Sequence, residues 1–140
     1  MAFHTRRRIE FRYTDAAGIA HFSAFFAFAE EAEHELLRSV GLSVLMRDEQ
    51  GALSWPRVAV KAEFQSAVRF EDEVDIEVNV SRLGEKSVTY QFTFTHEGRP
   101  VATAETTAVC CRLSPNRPPK AIPIPADVAE KLRAHLTVVA

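Results

Sequence analysis

Apolar and polar side chains alternate along several stretches of the 140-residue chain, as expected for strands that bury one face. The most regular stretch covers residues 74–81, where valine and isoleucine alternate with acidic and polar residues. Turn residues at 83–86 and 97–99 flank a second such stretch and predict hairpin connections. The pattern therefore predicts five strands, at residues 5–13, 57–64, 74–81, 88–95 and from 99 to about 113.

Two of these strands carry specific expectations. The first should turn Ile9, Phe11 and Tyr13 towards the core and leave the arginine run at residues 6–8 mostly solvated. The last has one face of small side chains, which leaves room for a bulky neighbour. That face consists of Ala102, Ala104, Thr106, Ala108 and Cys110.

A strongly apolar segment between the first two strands lacks the two-residue alternation. Phenylalanines separated by alanines predict a helix that is capped by Ser23, runs to about Val40 and stops at Gly41. Its first half is apolar nearly all round, which predicts burial on most sides, whereas residues 30–35 are polar and should reach solvent or an interface. A loose stretch at 42–55, a proline-rich connector at 114–125 and a short helix at 126–135 complete the pattern.

The order of these elements predicts an α+β fold in which a long helix crosses one face of an antiparallel five-stranded sheet. We expect residues 1–140 to form a single domain. Because one helix covers only part of such a sheet, a partner subunit is expected to complete the burial by two-fold pairing.

Composition narrows the class of protein. The formal net charge is −2, without the basic excess that phosphate backbones require, so no nucleic-acid partner is expected. The most apolar stretch, residues 18–29, is too short to span a bilayer, and the N-terminus does not resemble a signal peptide. The adjacent Cys110 and Cys111 would point to opposite faces of a strand, one in the core and one on the surface, and cannot form a disulfide framework. We therefore expect a cytoplasmic protein that does not bind membranes.

Asp15 gives the strongest candidate chemistry, because it precedes the predicted helix and Gly18 follows it three residues later. Free N–H groups near a helix start can bind an oxygen that becomes negative, and a carboxylate beside them suits acyl transfer. The same spacing is also common in simple turns, so a purely structural role stays open. No metal site is expected, since Arg38 stands where the second histidine of His34-Glu35-x-x-His would be.

Residues 9–41 resemble the opening of the hot-dog fold thioesterases, in the 4-hydroxybenzoyl-CoA thioesterase-like branch. That family has a first strand, an Asp-x-x-Gly-hydrophobic motif, an aromatic or histidine pair, and a helix with aromatics and Glu-x-Ala. Segments 69–74, 83–87 and 117–125 fit as well, so the resemblance covers nearly the whole chain. The motif positions here are Asp15, Gly18, Ile19, His21, Phe22, Phe25 and Glu30-Glu31-Ala32.

The resemblance implies a hot-dog fold, in which the sheet wraps the central helix, and a homodimer or a tetramer built from two dimers, with active sites between subunits. The substrate would be a small-molecule acyl-CoA, hydrolysed to a free acid and CoA without a metal or redox cofactor. Asp15 would act as nucleophile or general base, and the N–H of Gly18 or Ile19 would polarise the thioester carbonyl. His21 departs from the aromatic that relatives often carry, so it either lines the active site or is a hydrogen-bonded structural histidine.

The substrate would contact a second set of residues. Phe22, Phe25 and Phe26 are candidates for the acyl slot, although aromatics at helical spacing also form plain core. Glu30 is expected to support the site indirectly or to lie at the interface. The CoA phosphates need surface cations, which are otherwise ordinary solvated charges; the candidates are Lys86, Arg112, Arg117 and Lys120.

Two alternative functions remain. A hot-dog hydratase or dehydratase would act on acyl thioesters, but Asp15 and His21 are six residues apart without the Asn-Pro-type motif of the MaoC-like branch. A non-catalytic acyl-CoA-binding module would bind the same ligands without turnover.

Overall fold

In a computed structural model that describes residues 1–137, the chain forms nine β-strands and two α-helices. In chain order they are β1 (Phe3–Arg8), α1 (Phe22–Ser39), β2 (Met46–Asp48), β3 (Gly51–Ser54), β4 (Arg57–Phe64), β5 (Glu73–Leu83), β6 (Ser87–His96), β7 (Arg99–Val109), β8 (Cys111–Arg112), β9 (Lys120–Ala121) and α2 (Ala126–Arg133). The main sheet has five antiparallel strands in the order β1-β5-β6-β7-β4, and the second sheet has the order β2-β3-β8-β9. The predicted α+β fold, with a long central helix against a five-stranded antiparallel sheet, is confirmed.

The core lies between α1 and the main sheet. On β5 and β6 the predicted alternation is confirmed, since the valine, isoleucine and phenylalanine side chains of one face are buried. Phe28 and Leu36 of α1 are fully buried as well, and each such side chain contributes about 1.5–3 kcal/mol to stability. As expected, the small residues of β7, including Ala102 and Ala104, are buried and α1 contacts this strand.

Helix α1 begins at Phe22, and its cap is His21 rather than the predicted Ser23. His21 has an extended backbone, and its Nδ1 accepts a hydrogen bond from the Ser23 N–H, so the imidazole replaces the expected hydroxyl cap. The helix ends at Ser39, and Gly41 then adopts a φ of +81°, the left-handed conformation typical of a helix stop. The predicted end of the helix is therefore confirmed.

The distribution of exposed residues on α1 differs from the expectation. The first half is not buried on most sides, because the sheet covers only one face: Phe22 is 58% exposed, Phe26 is half-buried and Ala27 is exposed. In the polar second half, Glu33 is only 2% exposed. Its burial is possible because Arg57 of β4 bonds to its carboxylate.

The first strand ends at Arg8, five residues earlier than predicted, and a 3₁₀ turn follows at Phe11–Tyr13. The chain leaves the sheet here because the N–H and C=O groups of Ile9 bond to Asp72 and Glu71. Phe11 is consequently 77% exposed, which corrects its predicted place in the core.

The arginine run of the first strand divides between two faces of the sheet. Arg6 and Arg8 are solvated and form ion pairs with Glu73, as expected for the outer face. Arg7 instead turns towards α1 and forms ion pairs with Glu31 and Glu35. The arginine run is therefore a solvated face only at its first and last residue.

Strand β4 has the predicted bounds but not the predicted burial. It forms an edge of the main sheet, and no strand among residues 1–137 pairs with its outer side. Val58 is 63% exposed, and Val60 and Phe64 are each about half exposed. Residues 1–137 therefore leave an edge strand with exposed apolar side chains uncovered, a feature typical of a surface that another chain covers.

The second sheet explains the remaining differences between the predicted and the observed elements. The stretch 42–55 contains β2 and β3, and the connector 114–125 contains β9. The last long strand ends at Val109 instead of about 113, because the chain then enters β8. Cys110 and Cys111 consequently lie in two different surroundings, and both are buried and free, which corrects the expectation of one surface cysteine.

The second helix, α2, ends at Arg133, two residues earlier than predicted. His135 follows it and is buried, and its ring bonds to the backbone carbonyl of Met1. Neither helix in the described part of the chain is long and apolar enough to cross a membrane.

Candidate active site

Asp15 lies in a tight turn directly before α1. Its N–H donates to Ile19 O, its carbonyl accepts from the Gly18 N–H, and its Oδ1 accepts from the Ala17 N–H at 2.8 Å. Gly18 has a φ of +79°, a conformation that residues with a Cβ rarely adopt. The turn therefore fixes the direction of the half-buried Asp15 carboxylate through backbone contacts.

The segment between Asp15 and α1 is attached to the loop before β5. Ile19 forms a β-bridge with Arg69, and the Ala20 N–H donates to Val68 O at 2.8 Å. The His21 N–H donates to Tyr13 O at 2.6 Å. The start of the helix and the carboxylate are thus held against the same end of the main sheet.

The two backbone amides predicted to polarise a carbonyl differ in availability. The Gly18 N–H is already used by the Asp15 carbonyl, whereas the Ile19 N–H has no acceptor among residues 1–137. Of the two, Ile19 therefore has the amide that is free for a substrate oxygen.

A cavity of about 460 Å³ lies beside this turn, between α1 and the end of β4. It brings together five of the predicted site residues: Asp15, Ile19, His21, Phe22 and Phe25. The remaining wall was not predicted, since Phe64 was expected to be an ordinary strand residue and the loop after it was not singled out. That wall consists of Phe64, Gln65, Ser66, Ala67 and Val68, with Ala20 at the turn.

Phe26 and Glu30 line a different cavity, of about 280 Å³, further along α1. Its other walls are Ala27 of the helix, Arg57 and Val60 of β4, and Thr106 of β7. The Phe26 ring contacts Phe22 edge-on, with centroids 6.4 Å apart. Two cavities therefore follow each other along the exposed side of α1, and only the first contains Asp15.

Comparison with known proteins agrees with this geometry. Residues 9–132 match the model of the thioesterase-like superfamily. The chain belongs to this family. The resemblance in its opening motif is thereby confirmed, as are the hot-dog fold and, at the level of the family, the class of thioester hydrolases.

Three similar proteins illustrate the family. A putative esterase from Aquifex aeolicus is 31% identical over 133 residues, which cover 95% of this chain and 99% of the relative. A 1,4-dihydroxy-2-naphthoyl-CoA hydrolase from Synechococcus elongatus is 27% identical, over 77% of this chain and 80% of its own length. The solved structure of a gentisyl-coenzyme A thioesterase is 25% identical with a TM-score of 0.76, and covers 94% of this chain and 99% of that one.

The predicted phosphate-binding cations of this thioesterase-like protein are not near Asp15 in the same chain. Asp15 lies at the end of the sheet where β5 begins, and Lys86 follows the other end of this strand. Because β5 has 11 residues, its two ends are on the order of 30 Å apart. Arg112, Arg117 and Lys120 lie on or between β8 and β9, which join the same far end. Arg112 is also occupied, since it binds both carboxylate oxygens of Asp48 and lowers the pKa of that group to about 2.

Sequence reasoning missed a buried ion pair beside the second cavity. Arg57 Nη2 bonds to Glu33 Oε2, and Arg57 Nη1 lies 3.3 Å from Glu30 Oε2. Burial raises the pKa of Glu33 to about 7, although Arg57 acts in the opposite direction. Glu33 Oε1 has no hydrogen-bond partner in the described part of the chain. The spacing in the sequence places Glu33 on the helix face of Glu30, but it does not indicate the pairing with Arg57.

His21 has one ring nitrogen engaged in the helix cap. Since its Nδ1 accepts from Ser23, the proton of a neutral His21 ring sits on Nε2. Within residues 1–137, no group of three or more His, Cys, Asp or Glu side chains is arranged to hold a metal ion.

Proposed function

We propose that this protein hydrolyses an acyl-CoA thioester to a free acid and CoA, with Asp15 as the reacting carboxylate. The observation that carries the proposal is that Asp15 lines an aromatic-walled cavity next to the unoccupied N–H of Ile19. The relatives named as CoA hydrolases and thioesterases support the substrate class.

The chemistry requires one carboxylate and one oxyanion donor. As a general base, Asp15 takes a proton from a water that attacks the thioester carbon, and the C–S bond then breaks to give the free acid and the CoA thiolate, which gains that proton. As a nucleophile, Asp15 itself attacks and forms a mixed anhydride as the CoA thiolate leaves, and water then hydrolyses the anhydride to the free acid and restores the carboxylate. The Ile19 N–H donates to the carbonyl oxygen as it becomes negative, and the positive end of α1 favours that charge. Water is the only co-reactant, so the proposal includes no metal or redox cofactor.

Aromatic side chains would hold the acyl group next to Asp15. Phe22, Phe25 and Phe64 form an apolar wall of the cavity, which suits an aromatic or an aliphatic acyl group. The Nε2–H of His21 is a donor at the rim of the same cavity. We assign His21 to lining and capping rather than to proton transfer, because its Nδ1 is already engaged.

We also propose that the active unit is a homodimer in which two copies of β4 pair across a two-fold axis. The unpaired outer edge of β4, the exposed side chains of Val58, Val60 and Phe22, and the half-buried Phe26 support this arrangement. Two-fold pairing makes the strands antiparallel, so the far end of one sheet comes to the Asp15 end of the other. The tetramer of two dimers stays a prediction.

Antiparallel pairing also explains how cations that lie far from Asp15 in one chain could serve its site. In the dimer, Lys86 of the partner subunit would approach the Asp15 side, and Arg117 and Lys120 of the partner subunit would follow. These side chains would bind the CoA phosphates from across the interface.

The test compares wild type with Asp15→Asn on short, long and aromatic acyl-CoAs. Free CoA is followed by chromatography, since thiol dyes would also report Cys110 and Cys111 once exposed. We expect a loss of about 10²-fold or more at unchanged thermal stability, because the isosteric amide neither attacks nor takes a proton. Asp127→Asn, an exposed change on α2, is the matched control and should keep wild-type activity.

Three outcomes would contradict the proposal. Full activity of Asp15→Asn would remove this residue from the chemistry. Saturable acyl-CoA binding by wild type without CoA release would favour a non-catalytic binding module. Addition of water to an unsaturated acyl-CoA, with the thioester intact, would favour a hydratase.

A further inference from the structure

The two cavities beside α1 lie at opposite ends of the same edge strand. Phe64 of β4 lines the Asp15 cavity, and Val60 and Arg57 of β4 line the second cavity. Phe64 and Val60 are four residues apart, which places the cavities on the order of 13 Å from each other along the strand. Both cavities therefore border the edge at which we propose that the second subunit binds.

We propose that Arg57 is a substrate-binding residue that acts in trans, contributing to the Asp15 cavity of the partner subunit, and that Glu33 positions it. The inference rests on the proposed function and its dimer. Antiparallel pairing of two β4 strands reverses their ends, so the Arg57 end of one lies beside the Phe64 end of the other. The Asp15 cavity of each subunit then joins the second cavity of its partner.

Arg57 has the chemistry that this position requires. Its guanidinium is 24% exposed and is the cationic group that lines the second cavity. A guanidinium has five N–H donors. Arg57 donates one of them to Glu33, and another of its nitrogens faces the half-exposed Glu30. Donors remain for a carbonyl oxygen of the acyl or pantetheine part of the substrate. The two carboxylates disfavour an anionic acyl group, so the composite cavity selects a neutral one.

Glu33 explains why the arginine holds one orientation. Its side chain is buried on the sheet side of α1, and Arg57 begins β4 just before an irregularity in the pairing with β7. A buried carboxylate that loses its cation is costly, so the pair resists separation and keeps the guanidinium at the cavity wall. Glu33 thus acts through Arg57 and is a positioning residue.

Subunit complementation tests the inference directly. Asp15→Asn and Arg57→Gln are purified separately and then mixed under conditions that exchange subunits. A mixed dimer contains one site with both Asp15 and Arg57, the first from one chain and the second from the other. With equal amounts and random pairing, we expect about a quarter of wild-type activity, clearly above the mean of the two parents.

A matched mixture controls for any gain in activity that mixing two variants produces without complementation. Arg133 is exposed on α2 and pairs with Glu130, away from both cavities, so Arg133→Gln should be as active as wild type. Mixing it with Asp15→Asn should give only the mean of the two parents. Where Arg57→Gln does not fold, Arg57→Met, which retains an apolar stem of similar length, takes its place.

The outcomes separate this inference from the proposed function. No gain above the mean of the Asp15→Asn and Arg57→Gln parents overturns action across the interface, even if Asp15→Asn is inactive as proposed. Wild-type kinetics of the Arg57→Gln dimer overturn any role of Arg57 in binding. An active Asp15→Asn dimer overturns the proposed function and this inference with it.

Kinetics of Glu33→Gln test its positioning role. Because Glu33 would act on substrate binding through Arg57, the variant should raise KM for a neutral acyl-CoA several-fold and lower kcat less. A Glu33 that only stabilises the fold would leave both constants of the folded protein unchanged, and that result would overturn the assignment.

Discussion

Asp15, just before α1, and Glu33, within α1, are two carboxyl groups in different surroundings. Asp15 is half-buried, is fixed by backbone amides and forms no ion pair within residues 1–137. Glu33 is buried, is paired with Arg57 and has a pKa raised to about 7. A perturbed pKa can accompany either an active site or a structural ion pair. We propose that Asp15, which borders a cavity and a free amide, is the reacting carboxylate, and that Glu33 holds Arg57 in place.

The variant that prevents the proposed dimer should have the largest effect on the Asp15 site. Val58→Asp places a charge on the exposed edge of β4, where two copies would repel each other across the two-fold axis. We expect a monomer by light scattering and a loss of CoA release of about 10²-fold, because the Asp15 cavity loses its partner wall. Val58→Thr keeps the strand propensity and is the control. A fully active monomer would show that the Asp15 site is complete in one chain.

A smaller effect should come from the backbone under Asp15. Gly18→Ala imposes a Cβ at a φ of +79°, which costs about 1 kcal/mol and shifts the turn that aims the carboxylate. We expect activity to fall about 10-fold with a modest loss of thermal stability. Gly98→Ala has the same strain, at a φ of +80° in the turn between β6 and β7, and should lose stability without losing activity. Equal activity of the two variants would contradict the importance of the turn.

The pH dependence of stability distinguishes Glu33 in another way. Its folded pKa is raised from 4.5 to about 7, so the folded state keeps a proton that the unfolded state releases in this window. Stability is therefore lost as pH rises between these values. Glu33→Gln removes this dependence, and its Tm should rise relative to wild type by a few degrees between about pH 5 and pH 8. Calorimetry across this pH range measures the difference in Tm, and a constant difference between Glu33→Gln and wild type would contradict the raised pKa of Glu33.

The smallest effect concerns the helix cap. His21→Ala removes the acceptor for the Ser23 N–H and should cost about 1 kcal/mol, whereas His21→Asn retains a capping side chain and most of the stability. We expect both variants to keep activity within a few-fold, since we assign His21 to lining the cavity and capping the helix. A loss of 10²-fold in both would instead place the imidazole in the chemistry.

The fold was largely predictable because it follows from period-two patterns. The alternation on β5 and β6 and the bounds of β4 appear directly in the sequence. The first strand was predicted too long, since the alternation of Ile9, Phe11 and Tyr13 continues through a 3₁₀ turn that long-range bonds to residues 71 and 72 impose. Periodicity describes local faces and contains no information about such distant partners.

The site was predictable only in part, for a related reason. Asp15, Ile19 and Phe25 form one cavity because they are close in sequence at a helix start. Phe26 and Glu30 were assigned to the same site, but they face another cavity, one helical turn further on. The pairing of Glu33 with Arg57 joins residues 24 positions apart, and no local pattern indicates it.

The open edge of β4 also makes the isolated subunit prone to aggregation. A newly synthesised chain presents a row of unsatisfied backbone groups flanked by Val58, Val60 and Phe64, which is a template for amyloid-like addition of further strands. Lys61 and Glu63 are exposed on the same strand and act as gatekeepers that make such stacking costly. Dimerisation through this edge would then compete with aggregation, because a dimer no longer exposes the free edge. Protein concentrations at which most chains are dimeric would therefore limit aggregation of the monomer.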